Sequence, residues 1–144
     1  MVLKNITLIL LWSSAIILQT QAAKITIEQM EQATAPVKMI CVQKFKIDED
    51  TANDVKIGNI ADRKEVKCYI NCILEMMQMM KKGKVQYDSI IKSLATLMPD
   101  ELYDDTKRAV ETCKSSAVGI KDACEGSYTL LKCLVKENPK FYFP

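Results

Sequence analysis

The stretch DRKEVKCYINCILEMMQMMKK, residues 62–82, decides the fold. Asp62-x-x-Glu65 opens it in capping-box style, with Asp in place of Ser or Thr, and Gly83 ends it. The sequence therefore predicts a single helix running to about Lys82. Cys68 and Cys72 are four residues apart and share one face of that helix. A bond between them would strain a regular helix, so each must reach a different partner.

Working outward, four further cysteines complete the pattern C-x26-C-x3-C-x40-C-x10-C-x8-C: Cys41, Cys68, Cys72, Cys113, Cys124 and Cys133. An even count at long, irregular spacings behind an export signal reads as a disulfide framework. The signal is residues 1–22. Lys4 supplies the positive end, Ile6 to Leu18 is an apolar run too short to span a bilayer, and Thr20-Gln21-Ala22 offers small residues for cleavage after Ala22. Residues 23–144 then form one exported domain of about 122 residues, the size of a single core. Its 19 basic and 18 acidic residues, Lys4 being lost with the leader, nearly cancel. That balance argues against nucleic acid or an anionic membrane as the main partner.

The remaining punctuation gives an all-α chain of about six helices. Thr26-x-x-Gln29 reads as a capping box for the first, which Pro36 should kink or split before Cys41. Asp48 caps a short second helix that stops at Gly58. Asp88 caps a fourth that ends before Pro99. Pro99, Asp100 and Glu101 suit the first turn of a fifth reaching about Lys114. The sixth runs from about Asp122 to Asn138-Pro139 and leaves an aromatic tail, Phe141-Tyr142-Phe143-Pro144. Strand patterning is confined to scraps, with no Asn-Gly or Asp-Gly hairpin signal. Cys124 and Cys133, nine steps of about 100° apart, leave opposite sides of the sixth helix and cannot pair. These rules cut the fifteen pairings of six cysteines without selecting one.

The order and spacing of the six cysteines, with the x3 and x8 gaps as the most constrained, resemble the insect odorant-binding proteins of the six-cysteine general and pheromone-binding type. The likeness covers essentially the whole exported chain, and the Asn138-to-Phe143 tail is similar to tails of antennal members. The resemblance implies the pairing Cys41–Cys72, Cys68–Cys124 and Cys113–Cys133, which obeys both rules above. It also implies helices around an internal apolar cavity.

Several apolar stripes recur at helical spacing: Ile73, Met76, Met77 and Met80 on the third segment; Ile91, Leu94 and Met98 on the fourth; Leu102, Thr106, Ala109 and Val110 on the fifth; Tyr128, Leu131 and Leu134 on the sixth. Periodicity alone does not separate core from cavity wall. The resemblance makes these the expected ligand-binding residues, with Met79 expected to point outward. Methionine adapts to ligands of different shape, and Thr106 offers a hydroxyl either to a ligand head group or to its own helix backbone. Phe141, Tyr142 and Phe143 are expected to fold back as a lid. The resemblance places the Pro144 carboxylate against Tyr69 and Lys38 as a tail anchor. A void of ~300 Å³ would cost on the order of 7 kcal/mol, and three bridges at roughly 3 kcal/mol each would offset it.

The expected function is an extracellular carrier that reversibly binds small hydrophobic molecules, odorants or pheromones, at about micromolar affinity. Expected partners are that ligand and an odorant receptor, with the protein monomeric or weakly dimeric, in sensillum lymph if olfactory. A non-olfactory lipid carrier is the alternative. A saposin-like membrane-perturbing protein fits the cysteine spacing less well, and stable membrane insertion is not expected. The chain has no histidine, which removes Ser-His and Cys-His hydrolytic couples, so an enzyme is not expected. The absence of any CxxC pair and the oxidising export route argue against a metal site, and no cofactor is called for. Without an imidazole, acid release must rest on carboxylates and falls in a fairly acidic range.

Overall fold

The computed structural model describes residues 25–144, so the expected leader, residues 1–22, lies outside the described residues, as do residues 23 and 24. Six helices follow in order: α1 Ile27–Phe45, α2 Glu49–Lys56, α3 Lys64–Met76, α4 Tyr87–Leu97, α5 Asp100–Cys113 and α6 Ala123–Glu137. Between α3 and α4 lies a two-stranded antiparallel hairpin, β1 Met80–Lys81 and β2 Lys84–Val85, with Met80 opposite Val85.

Several helix ends form as their sequences dictate. The Thr26 hydroxyl accepts the Gln29 N–H at 3.2 Å while the Gln29 side-chain oxygen accepts the Thr26 N–H at 2.9 Å, a complete capping box. Asp48 accepts the Thr51 N–H at 2.7 Å, and Asp122 accepts the Glu125 N–H at 2.8 Å. Gly58 ends the turn after α2 at φ +84°, where a Cβ would stand 2.6 Å from Val135 of α6. Glycine thus provides both the left-handed turn and the close approach of that turn to α6.

Other expectations are corrected. Of the kink or split expected at Pro36, the split is absent: one helix runs through it, at the cost of one backbone hydrogen bond. The third helix stops at Met76, six residues early, because Gln78 takes φ +57° and turns the chain into the hairpin. The hairpin turn is Lys82-Gly83, with φ of +50° and +73° at its two central residues, so lysine takes the place normally filled by asparagine or aspartate. Asp62 does not cap α3. The N-cap is Arg63, without a side-chain bond, and Asp62 instead pairs with Lys67 at 2.6 Å. Asp88 lies inside the first turn of α4, with Gln86 at the cap position.

The core centres on α3 packed against α6, with α1 also against α3 and α5 against α6. Val66, Tyr69, Ile70, Ile73 and Leu74 bury the inner face of α3. The three disulfides tie this arrangement together in the interlocked order. Cys41–Cys72 joins α1 to α3 (Cα–Cα 5.8 Å), Cys68–Cys124 joins α3 to the first turn of α6 (4.5 Å), and Cys113–Cys133 joins the end of α5 to α6 (5.8 Å). Cys68 and Cys72 do reach two different helices. Lys67 adds a polar tie: it binds Asp62 and Glu125 at 2.6 Å each and lies 4.7 Å from the Tyr128 ring centre. Both carboxylates, Asp62 first, hold its ammonium above the ordinary lysine range.

Candidate functional site

A narrow cavity of about 50 Å³ lies between α3, α4, α5, α6 and the tail. Met30, Leu74, Met77, Met79, Ile90, Leu94, Met98, Thr106, Val110, Leu130, Leu134, Phe141 and Tyr142 line it, and its wall is almost entirely hydrocarbon. Of the residues expected from the sequence, eight meet there: Met77, Leu94, Met98, Thr106, Val110, Leu134, Phe141 and Tyr142.

The others are placed elsewhere. Ile73, Ala109, Tyr128 and Leu131 are buried in solid core. Ile91 is half-buried on the core's edge. Met80 is buried in β1 beside Gly126 of α6. Met76 is 43% exposed, its sulfur 3.7 Å from the Cys41 sulfur. Leu102 and Phe143 line an open groove on the outer side of the tail, with Ile27, Ile57 and Pro139.

Met79 was placed by extending a 100° helical step past residue 76, and the left-handed Gln78 breaks that step. Met79 therefore turns inward. Met30, Leu74, Ile90 and Leu130 were also missed, although spacing signals existed. Ile90 stands four residues before Leu94, and Leu130 four before Leu134.

The tail packs back as expected, but its anchor differs. Phe141, Phe143 and Pro144 are buried and Tyr142 is half-buried. Among the described residues no hydrogen bond or ion pair joins Pro144 to Tyr69 or Lys38. The Tyr69 hydroxyl is buried with no hydrogen-bond partner, and burial pushes it up to about 12. Phe143 meets Tyr69 edge-on, ring centres 6.5 Å apart, so the tail docks there through hydrocarbon. The polar anchors are Asn138 and Tyr142. Asn138 accepts the Lys140 N–H at 3.0 Å through its side chain and the Phe141 N–H at 2.8 Å through its backbone. The Tyr142 hydroxyl lies 2.8 Å from the Thr34 hydroxyl of α1. Burial raises Tyr142, and its bond to Thr34 opposes the shift. Phe141 and Tyr142 line both the cavity and the outer groove.

Residues 23–137 match the PBP/GOBP family. The chain belongs to that family. It is 42% identical over 120 residues to general odorant-binding protein 72 of Anopheles gambiae, covering 83% of this chain and 99% of that one. It is 39% identical over 125 residues to general odorant-binding protein 19a of Drosophila melanogaster, covering 85% and 86%. Among solved structures it is similar to odorant binding protein 4 of Chrysopa pallens, with a TM-score of 0.76 and 34% identity over 83% of this chain and 99% of that one. Like that structure, this family member is helical, and its three disulfides tie α1, α3, α5 and α6 together. No helix among the described residues is long and apolar enough to cross a membrane.

Proposed function

We infer that this protein is an extracellular carrier that reversibly takes up small hydrophobic molecules, odorants or pheromones, in the cavity behind its C-terminal tail. Carriage of small hydrophobic ligands follows from the family. The location of the ligand, its contact residues, delivery to a receptor and residence in sensillum lymph are our reading. One observation carries the site: a hydrocarbon-walled cavity that shares two tail side chains, Phe141 and Tyr142, with an outside groove.

The cavity's volume sets the mechanism. A void of ~150 Å³ admits benzene, and about 50 Å³ is a third of that. A ligand must therefore widen the site as it enters. The movable parts are the unbranched side chains of Met30, Met77, Met79 and Met98 and the tail itself. Swinging Phe141 and Tyr142 outward breaks the Thr34–Tyr142 hydrogen bond and joins the cavity to the groove lined by Ile27, Ile57 and Leu102. Guest and tail then compete for the same apolar surface, which keeps binding reversible.

Native mass spectrometry of protein from its natural fluid, with equilibrium binding of the released compounds, tests this. A small hydrophobic guest that rebinds at about micromolar affinity, more weakly in Phe141→Ala, is the expected result. Absence of any such guest, together with no binding of medium-chain hydrophobic compounds up to their solubility, would refute it.

A further inference from the structure

The cavity wall offers one uncommitted polar group. Tyr142 spends its hydroxyl on Thr34. Thr106, 1% exposed on α5, is different. Three other helical threonines return their proton to the carbonyl four residues back, Thr34 to Met30 at 2.9 Å, Thr96 to Lys92 at 2.9 Å, and Thr112 to Arg108 at 3.0 Å, and Thr51 gives its own to the Asp48 carboxylate at 3.0 Å. Thr106 makes no such bond; its partner is the Asn138 amide nitrogen, at 3.3 Å.

The orientation of that amide is set by its other end. The Asn138 side-chain oxygen accepts the Lys140 N–H at 3.0 Å, so the nitrogen faces Thr106. An amide NH2 only donates. The Thr106 oxygen must therefore accept, and its own proton has no acceptor among the described residues. A buried donor left unmatched is costly, and ordinarily something satisfies it. Here it stands in the wall of a cavity otherwise lined by hydrocarbon.

We propose that Thr106, held by Asn138 as the positioning residue, is a hydrogen-bond donor subsite that selects neutral hydrophobic ligands bearing a carbonyl oxygen (aldehydes, ketones or esters) over hydrocarbons of equal length. The proposal rests on the carrier reading above. No lysine or arginine lines the cavity, so a carboxylate would enter without a countercharge. An alcohol accepts the Thr106 proton but brings a proton of its own, for which the wall offers only the weakly accepting methionine sulfurs and a Tyr142 oxygen already bonded to Thr34. A carbonyl oxygen accepts and requires nothing in return.

The experiment compares n-nonane, methyl heptyl ketone and methyl heptyl carbinol, three probes of nearly equal size, on the wild-type chain, Thr106→Val and Thr106→Ser. In the wild type the ketone binds more tightly than the carbinol. In Thr106→Val the ketone weakens about tenfold while nonane does not weaken, and Thr106→Ser keeps the ketone preference. The carbonyl stretching band of the bound ketone lies below its position in hydrocarbon solvent in the wild type and returns to it in Thr106→Val. Any general loss of stability in the valine variant weakens all three probes together, so the ratio between probes is the readout. An unchanged ketone-to-nonane ratio, or a wild-type band at the hydrocarbon-solvent position, overturns the proposal while leaving the carrier reading intact. If folded wild-type protein binds none of the three, the carrier reading fails and this proposal falls with it.

Discussion

Replacing Leu134 with alanine should convert a stability loss into a binding gain, and the same change at Leu131 should not. Both leucines are buried on α6 and stand three residues apart, but only Leu134 lines the cavity. A Leu→Ala change costing about 4 kcal/mol divides into about 2.4 kcal/mol for three buried carbons and about 1.6 kcal/mol of void, which at ~24 cal/mol per Å³ is about 70 Å³. At Leu134 that space merges with the existing 50 Å³, giving about 120 Å³, close to the size that admits benzene. At Leu131 it forms an isolated hole in solid core. Guanidinium denaturation followed by circular dichroism, with and without an aromatic probe at saturation, reads both effects. Without probe, each variant should lose about 3–4 kcal/mol. Probe at about 100 times its dissociation constant restores up to ~2.7 kcal/mol, and only in Leu134→Ala should this exceed the wild-type response by 1 kcal/mol or more. Equal rescue of both variants, or none at Leu134→Ala, would refute the placement of the cavity.

Three further outcomes follow from the same geometry. Replacing both cysteines of Cys68–Cys124, which closes a separation of 56 residues, should destabilise by about 4 kcal/mol, against about 3 kcal/mol for Cys113–Cys133 at a separation of 20; midpoints from denaturant titration in the order opposite to this would contradict the loop-length account. Glu31 is held below the usual carboxylate range by its Lys56 hydrogen bond, and Asp48 by the Thr51 N–H. Depressed acids contribute stability above their unfolded pKa of about 4 and lose it only as pH falls through the lower folded values, so melting temperature should stay flat from pH 8 to 5 and drop below about 4, a window that a steep fall near pH 6 would exclude. Tyr69→Phe removes an unmatched buried hydroxyl and should be neutral or stabilising by about 1 kcal/mol. Because burial raises Tyr69 to about 12, its titration leaves stability unchanged below pH 10 and costs the wild type on the order of 2 kcal/mol between pH 10 and 12; this extra alkaline loss should vanish in the phenylalanine variant.

Helix count and order were legible because they depend on local chemistry. Thr26, Asp48 and Asp122 are capping residues whose side chains reach backbone N–H groups three residues away, and such bonds need no tertiary context. The cysteine rules were equally local: four residues put Cys68 and Cys72 on one face, and nine put Cys124 and Cys133 on opposite faces. The pairing itself was not derivable that way and came with the family resemblance. The hairpin was illegible because its turn uses Lys82, where side-chain preference points elsewhere, and because Gln78 enters the left-handed region without being glycine. Both are positions where tertiary packing overrides propensity: behind them Met80 is buried and Met79 lines the cavity. Asp62 was misread for a similar reason. A carboxylate ahead of a helix has the choice of a cap or a cation, and Lys67, itself drawn in by Glu125 and the Tyr128 ring, took it.

The cavity was the least legible feature, since core and cavity residues obey the same periodicity and differ only in what stands opposite. Its size also changes the role of the disulfides. A permanent void of ~300 Å³ would have needed on the order of 7 kcal/mol of compensation, whereas about 50 Å³ costs about 1 kcal/mol at the same rate. The bridges are therefore not required to hold an empty chamber open. Their placement points to another use. Cys41–Cys72, Cys68–Cys124 and Cys113–Cys133 fix α1, α3, α5 and α6 to one another, while α4, the hairpin and the tail carry no crosslink. Ile90, Leu94, Met98, Met79, Phe141 and Tyr142, about half of the cavity wall, belong to those unlinked parts or border them. On the entry route we propose, covalent ties confine the deformation that a guest imposes to the side of the molecule where side chains and tail can yield. Binding then draws on the difference between displaced tail and buried guest, and it does so without loosening the α3–α6 core on which refolding of the closed form depends.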